Sequence, residues 1–479
     1  MPTASPTPDH PLDRLHAGRA AIAGADHVRP GAGREGDWWP LALKGRLPAG
    51  LGRAALIVSP GDARETAAVL AACAGAGVPV TPFGAGSGVV GSAVPEAGTV
   101  LLDLRRLREI GPLDRANCLV TSGAGVIGGA LEAFLNAEGF TFGLYPQSLD
   151  LASVGGMIAT RASGTYSGLY GGIEHRLAAL QVALADGTLC DVPLMPRWAL
   201  GPDLASLFIG SEGTLGVVTA ATLRIDPLPE ARLLRALRFA TLSDGLAAVR
   251  EFIQAGIHPA VVRLYDEEES AHLRATTGHE GAGCILLLAF DGPARLAALA
   301  ETLTLEHCAA RGAADLGREP AERWNTNRLR VPSGFAALEQ PGVMADFIDI
   351  QGPWDRIEAV HAAVRSALRE HCDSAFAHFS HVYPQGSSMY FVVRIDAADD
   401  DEAVSRYHRA WDAAMAATLA SGGAIAHHHG VGLARSGSLR ASLGSAWPVW
   451  DRLKQAMDPA GILHPGKLGT SSTRRPADG

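Results

Sequence analysis

No run in the 479 residues approaches the roughly 20 consecutive apolar positions that a bilayer-spanning helix needs. The opening segment, Met1 to Arg14, is proline-rich, carries acids and has no apolar core, so it does not read as a secretory signal, and a cytoplasmic protein is expected. Cysteine is sparse. Cys73, Cys118, Cys190, Cys284, Cys308 and Cys372 are scattered without a C-x-x-C pair, which fits reduced thiols rather than a disulfide frame or a zinc centre. Positive charge is short too: 41 Lys+Arg stand against 50 Asp+Glu, a net −9, with no basic block. Nucleic-acid binding and a polybasic membrane patch are therefore disfavoured, and small-molecule chemistry gains by elimination. What is plentiful is glycine, 56 of 479 residues against a norm of roughly 7%. Much of it falls in tight loops, where a backbone must approach something closely.

A chain of this length is expected to form two domains. Residues 1–50 read as a lead-in anchored by Trp38, Trp39 and Pro40, and an α/β rhythm begins after them. Asp62 with Glu65 three later signals a helix start running through Ala76, and Asp186-Gly187 marks a hairpin between Leu180–Ala185 and Thr188–Val192. Pro227-Leu228-Pro229-Glu230 looks like a boundary between a first domain over 51–228 and a second over 229–445. In the second, a helix is expected over 354–371 with Pro353 at its start, a hairpin over Phe376–Ile395, a helix over Glu402–Ala420 and a strand over Ala424–His429. Residues 446–468 read as a C-terminal return to the first domain, and 469–479 as a disordered tail.

Pro82-Phe83-Gly84-Ala85-Gly86-Ser87-Gly88-Val89-Val90-Gly91 follows a strand and contains G-x-G-x-x-G at Gly86, Gly88 and Gly91. A dinucleotide fold of the Rossmann type needs a helix opening there, and Pro95 blocks one. Successive N–H groups of such a loop can instead form an anion-binding nest suited to a pyrophosphate; the alternative is a plain glycine-rich turn. Two more small-residue clusters, 146–164 and 210–219, could join it around one extended cofactor.

Those three stretches resemble the vanillyl-alcohol oxidase and p-cresol methylhydroxylase flavoenzymes: a P-x-G-x-G-(S/T)-x-x-x-G loop at 82–91, S-V-G-G at 153–156 and G-S-E-G-T-L-G-V-V-T at 210–219. D-P-x-G-I-L-x-P-G-K at 458–467 matches the usual C-terminal return, so the resemblance covers about residues 50–468. It implies an α+β architecture, an FAD-binding domain plus a cap domain whose antiparallel sheet covers the flavin ring. The cofactor contacts it implies are Pro82, Gly84, Ala85, Gly86, Ser87, Gly88, Gly91, Ser148, Asp150, Ser153, Gly155, Gly156, Thr160, Ser163, Glu212, Gly213, Gly216 and Val217. Members that bind flavin covalently often carry a His in the glycine loop. This loop has none, so the FAD is expected to be non-covalent.

Within that superfamily the sequence is most similar to the alkylglycerone-phosphate synthase branch. In that branch a strand Tyr precedes the first His of an S-H-H-H-G-V-G loop by 37 positions, and Tyr390 precedes His427 by 37 (427 − 390). Tyr390 is the implied acid or base, its phenolate stabilised by His427, His428 and His429; packing of a half-buried strand Tyr is the alternative. Strand alternation sends His427 and His429 to one face and His428 to the other, so no metal is expected. His378 and His381 face opposite ways on a regular strand, Tyr383 shapes the strand entry, and Arg263 either holds a substrate anion or pairs with Asp266. Glu174 could brace the flavin loop. The branch's Y-x-R-D arginine is missing: counting back 18 positions from Pro353 lands on Phe335, and Arg330, five positions off, is the candidate substitute. The implied activity is FAD-dependent oxidation at a carbon bearing oxygen, or else the branch's exchange of acyl for alkyl in ether-lipid synthesis. Partners would be a small-molecule or lipid substrate, with peripheral membrane contact in the lipid case, and a homodimer is the expected assembly.

Overall fold

A computed structural model describes residues 22–33, 35–197, 199–328 and 336–470. Arg330 and Phe335 lie outside the described residues, as do positions 1–21 and 471–479. Among the described residues no helix is long and apolar enough to cross a membrane.

The first half of the chain builds two small sheets. One joins β1 (Val28–Pro30), β2 (Leu56–Val58), β3 (Val80–Phe83) and β4 (Val100–Asp103) in the order β1-β2-β4-β3, with β2 and β3 both parallel to β4. The parallel step from β2 to β3 requires a crossover, supplied by α1 (Ala63–Ala76). Asp62 accepts from the Glu65 N–H at 2.8 Å, the Glu65 carboxylate accepts from the Gly61 N–H at 2.6 Å, and Gly77 ends the helix at φ +64°. The other sheet runs β5 (Ile110–Asp114), β6 (Leu119–Gly123), β9 (Val217–Arg224), β7 (Leu177–Ala183), β8 (Leu189–Val192). Its β7–β8 hairpin turns at Asp186-Gly187 as expected, with Gly187 at φ +86°.

The second half builds one antiparallel seven-stranded sheet from β10 (Ala231–Phe239), β11 (Val261–Tyr265), β12 (Cys284–Gly292), β13 (Ala314–Gly317), β14 (Val343–Pro353), β15 (Ser374–Tyr383) and β16 (Gly386–Asp396), in the order β13-β10-β12-β11-β15-β16-β14. Register decides what this sheet presents. Asp349 pairs with Tyr390, Tyr390 with His378, and His378 with Tyr265, so one row of directly opposed residues crosses four strands. Opposed residues share a face, and Arg263, two before Tyr265, shares it as well.

Three expectations fail here. Pro353 closes β14, and the following helix, α2, begins only at Ile357 and ends at Arg369. The segment 424–429 is a loop with a single bridge, Ala424 to Gln351, because its amides turn toward a side chain rather than a neighbouring strand. His381 sits at φ +52° on a bulge between Ser380 and Val382, so the added residue cancels the alternation that would have sent it away from His378.

The lead-in also does more than lie on the body. Trp39 and Leu41 pack into the core of the second half, and the Trp39 indole donates to Tyr407 Oη at 2.9 Å. Tyr407 in turn donates to buried Asp346 at 2.7 Å, as does Trp411 at 3.0 Å. Trp39→Ala should cost about 3–5 kcal/mol, read as a lowered urea midpoint; an unchanged midpoint would show that the lead-in is not part of the core.

Candidate active site

A cleft of about 1870 Å³ of atom-free space, its open mouth included, separates the small sheets from the cap sheet. Pro82 to Val89, Pro146 to Ser148, Ser153 to Thr160 and Ser211 to Val218 contribute its first wall. The segments meet closely: a Cβ on Gly84 would stand 2.2 Å from Ser153 Oγ, and one on Gly155 would stand 2.7 Å from the Ala124 methyl. After β3 the chain does not enter a helix. The backbone N–H groups of Ala85, Gly86, Ser87, Gly88 and Val89 donate to no described residue and border the cleft. Buried or half-buried amides left this way are donors in waiting for an anion.

Asp37, Trp38 and His464 also line the cleft, and the sequence reading missed them. Asp37 accepts from the N–H groups of Trp39 and Ala93, both at 3.2 Å, and burial pushes its carboxyl up to about 7. Gly91 and Asp150, expected to contact the cofactor, are not among the residues that line the cleft. Gly91 lies at φ +78° with a Cβ position 2.8 Å from the Trp39 ring, so it packs the lead-in. Asp150 is exposed and its carboxylate covers Gly129. The Glu212 carboxylate is already engaged: it accepts from the Val431 and Gly432 N–H groups and from Ser92 Oγ at 3.1 Å. It ties the glycine loop to the histidine loop.

The opposite wall is the face carrying the row described above. Tyr390 stacks on His378 with centroids 4.9 Å apart and meets the His429 edge at 5.4 Å. Its hydroxyl makes no hydrogen bond to a described residue, and it lines the cleft. His378 Nε2 lies 2.7 Å from Arg263 Nη2, and its Nδ1 lies 2.9 Å from Glu269. A guanidinium only donates, so Nε2 is the acceptor and neutral His378 carries its proton on Nδ1, toward Glu269. Glu269 is placed by Asp266, which caps the helix α3 (Glu267–Thr277) and accepts the Glu269 and Ala377 N–H groups at 2.8 Å. Asp266 is thus engaged by backbone, and Arg263 reaches His378 instead of pairing with it.

Asp349, unforeseen from the sequence, organises the histidine loop. Its Oδ2 accepts from the N–H groups of His427 and His428 at 2.8 Å and of His429 at 3.3 Å. Its Oδ1 faces His429 Nδ1 at 2.9 Å and the fully buried Arg435, which also donates to the Gly430 carbonyl at 2.8 Å. His428 and His429 line the cleft, whereas His427 turns to Tyr383 Oη at 2.8 Å. His381 stacks on His427 at 5.0 Å and is held through Nδ1 by Ser167 at 2.7 Å and Ser163 at 3.1 Å. The nitrogens of His381, His427 and His428 come within 4.8 Å of one another, as do the ligand atoms of Asp349, His428 and His429, so either trio has the reach of a metal site.

Burial opposes charge on Asp349, but Arg435, His429 and His428 hold its carboxyl well below the usual range. Burial, with neighbouring imidazoles and Arg263 or Arg435, keeps His378, His381 and His428 well below theirs, and His427 falls to about 4. Burial and then Asp349 push the Tyr390 phenol far upward. Burial first, and Asp349 second, thus favour a neutral phenol where a phenolate was expected.

Comparison with known proteins identifies the cofactor. Residues 54–193 match the model of an FAD binding domain, and residues 228–468 match that of the FAD linked oxidases, C-terminal domain. The chain belongs to the FAD-linked oxidase family. The FAD-linked oxidoreductase YgcU of Escherichia coli K12 is 31% identical over 82% of this chain and 83% of its own length. Alkyldihydroxyacetonephosphate synthase of Dictyostelium discoideum is 25% identical, over 86% of this chain and 73% of its own length. A solved alkyldihydroxyacetonephosphate synthase structure superposes with a TM-score of 0.80 at 21% identity, covering 97% of this chain and 87% of that one. This FAD-linked oxidase is an FAD-dependent oxidoreductase with the two-domain α+β fold of p-cresol methylhydroxylase-type enzymes, and its free Ala85–Val89 amides suit the pyrophosphate.

Asp349→Asn should cost about 3–5 kcal/mol by stranding buried Arg435, read from urea unfolding; a loss below 1 kcal/mol on that scale would refute the clamp. Because four histidines stay neutral in the fold while the unfolded chain protonates each near 6.5, the unfolded state binds more protons below that pH. Thermal stability should therefore fall as pH drops from 6.5 toward 4, and His428→Asn should flatten the slope.

Proposed function

We propose that this FAD-linked oxidase oxidises an anionic alcohol, such as a 2-hydroxy acid, at the carbon bearing oxygen, with Tyr390, His378 and the 427–429 histidines as the reacting wall. The observation that carries the reading is Arg263: it lines the cleft beside His378, and its Nε is buried without a hydrogen-bond partner. A guanidinium N–H in that condition favours a carboxylate or phosphate over a neutral group. Tyr390 would donate to the substrate oxygen, since its phenol is held protonated, and His428, neutral and facing the cleft, would receive the hydroxyl proton. Bound FAD supplies the acceptor for the hydride that leaves the carbon. Phe347, whose ring lies 5.4 Å from Tyr390, closes the apolar side of the same wall.

Anaerobic mixing of the FAD-loaded protein with D-lactate, glycolate and glycerol 3-phosphate tests this. Lasting bleaching of the flavin absorbance by one of them supports the reading, and absence of bleaching by any hydroxylated anion overturns it. Alkyl product from an acyl-dihydroxyacetone phosphate and a fatty alcohol, without net flavin reduction, would favour the synthase activity instead. Tyr390→Phe should lower the bleaching rate about 10²-fold or more with FAD retained. Acid precipitation should release the FAD into the supernatant, as a dissociable cofactor requires.

A further inference from the structure

We propose that His428, His427 and Tyr383 form a proton relay that carries the substrate's hydroxyl proton out of the cleft. The relay rests on the alcohol-oxidising reading above. His428 lines the cleft, its Nδ1 lies 2.9 Å from His427 Nδ1, and His427 Nε2 lies 2.8 Å from Tyr383 Oη. Each gap is an ordinary hydrogen-bond length, so the three groups form one unbroken chain.

Outward transfer requires one donor pattern. A lone pair on His428 Nε2 places that ring's proton on Nδ1, which donates to His427 Nδ1; His427 then carries its proton on Nε2 and donates to Tyr383. When the substrate O–H bond breaks, its proton forms N–H at His428 Nε2. His428 Nδ1 passes a proton to His427 Nδ1, His427 Nε2 passes one to Tyr383 Oη, and the phenol's own proton goes to water. The carbon's hydride goes to the flavin, and no net charge remains on either ring. That last point is what the surroundings demand. A lone imidazolium at His428 is opposed by burial and by His429, and burial likewise opposes one at His427.

The outer end suits an exit. Tyr383 is half-buried, and Glu174 and the exposed Arg161 are the charged groups that act electrostatically on its phenol. Its backbone has separate duties, pairing with Gly386 and accepting the Trp354 indole N–H at 3.0 Å, whereas its hydroxyl bonds only His427 among the described residues. His381, anchored through Ser163 and Ser167, stacks on His427 at 5.0 Å and meets His428 at a tilt with centroids 4.8 Å apart, so it packs against both relay rings.

Tyr383→Phe in the FAD-loaded protein tests the relay with two readouts. With histidine labelled by ¹⁵N and no substrate present, the His427 Nε2 resonance should move to the position of an unbonded ring nitrogen, while FAD affinity stays within about twofold. With whichever of D-lactate, glycolate or glycerol 3-phosphate bleaches the wild-type flavin, reduction should slow about tenfold or more and its solvent deuterium isotope effect should fall toward one. An unshifted nitrogen resonance, or an unchanged rate and isotope effect, overturns the relay. So does slowing that is matched by loss of FAD, which would mark Tyr383 as structural. If no compound bleaches the wild-type flavin, the alcohol reading fails on its own, and the nitrogen resonance alone then decides whether the hydrogen-bonded chain exists.

Discussion

The buried contact between Asp349 and Arg435 is the constraint under which the rest of the site is arranged. Both side chains are removed from water, which costs several kcal/mol per ion in general and is offset only by dense pairing. The pairing is dense: three loop amides and His429 surround the carboxylate, and the guanidinium also reaches two carbonyls, of Gly430 and Asp349. Because the anion sits beneath the loop, the His428 and His429 imidazoles above it face the cleft. Arg263 is the cation that acts on Tyr390, and burial together with Asp349 outweighs it. The protonation state of the Tyr390 phenol is thus set first by burial and then by the anion that fastens the loop.

The sheet row gives the same wall its geometry. Asp349, Tyr390 and His378 are fixed side by side by strand register, without any loop conformation being required. Asp266 then sets the helix that brings Glu269 to His378. Backbone hydrogen bonds place the groups, and side-chain bonds orient them, so the positions are as rigid as the sheet.

The glycine loops were legible in the sequence because close backbone approach leaves a residue-type signature, and Gly84 and Gly155 meet neighbours no Cβ could face. Tyr390 and the histidine triplet were legible through spacing to a resembling family. Asp349 was not: an acid at the centre of an apolar strand reads as a break, and its partner Arg435 is 86 residues away in sequence. His381 was hidden by a bulge that no periodicity announces. The strand over Ala424–His429 was misjudged because triple histidine looks β-like while its amides answer to a carboxylate. Arg263 was read as an anion holder or as the partner of Asp266, and the structure pairs it with the His378 imidazole.

Glu212 closes the circle between the two walls. One carboxylate grips Ser92, beside the nucleotide loop, and the backbone just past the histidines. Its own carbonyl is taken by His464 from the C-terminal return. Three distant stretches of chain are therefore knotted at one point in the cleft's first wall. A shift in the nucleotide cradle is transmitted to the imidazoles through this knot, so that holding the dinucleotide and keeping the reactive rings in register become a single mechanical condition.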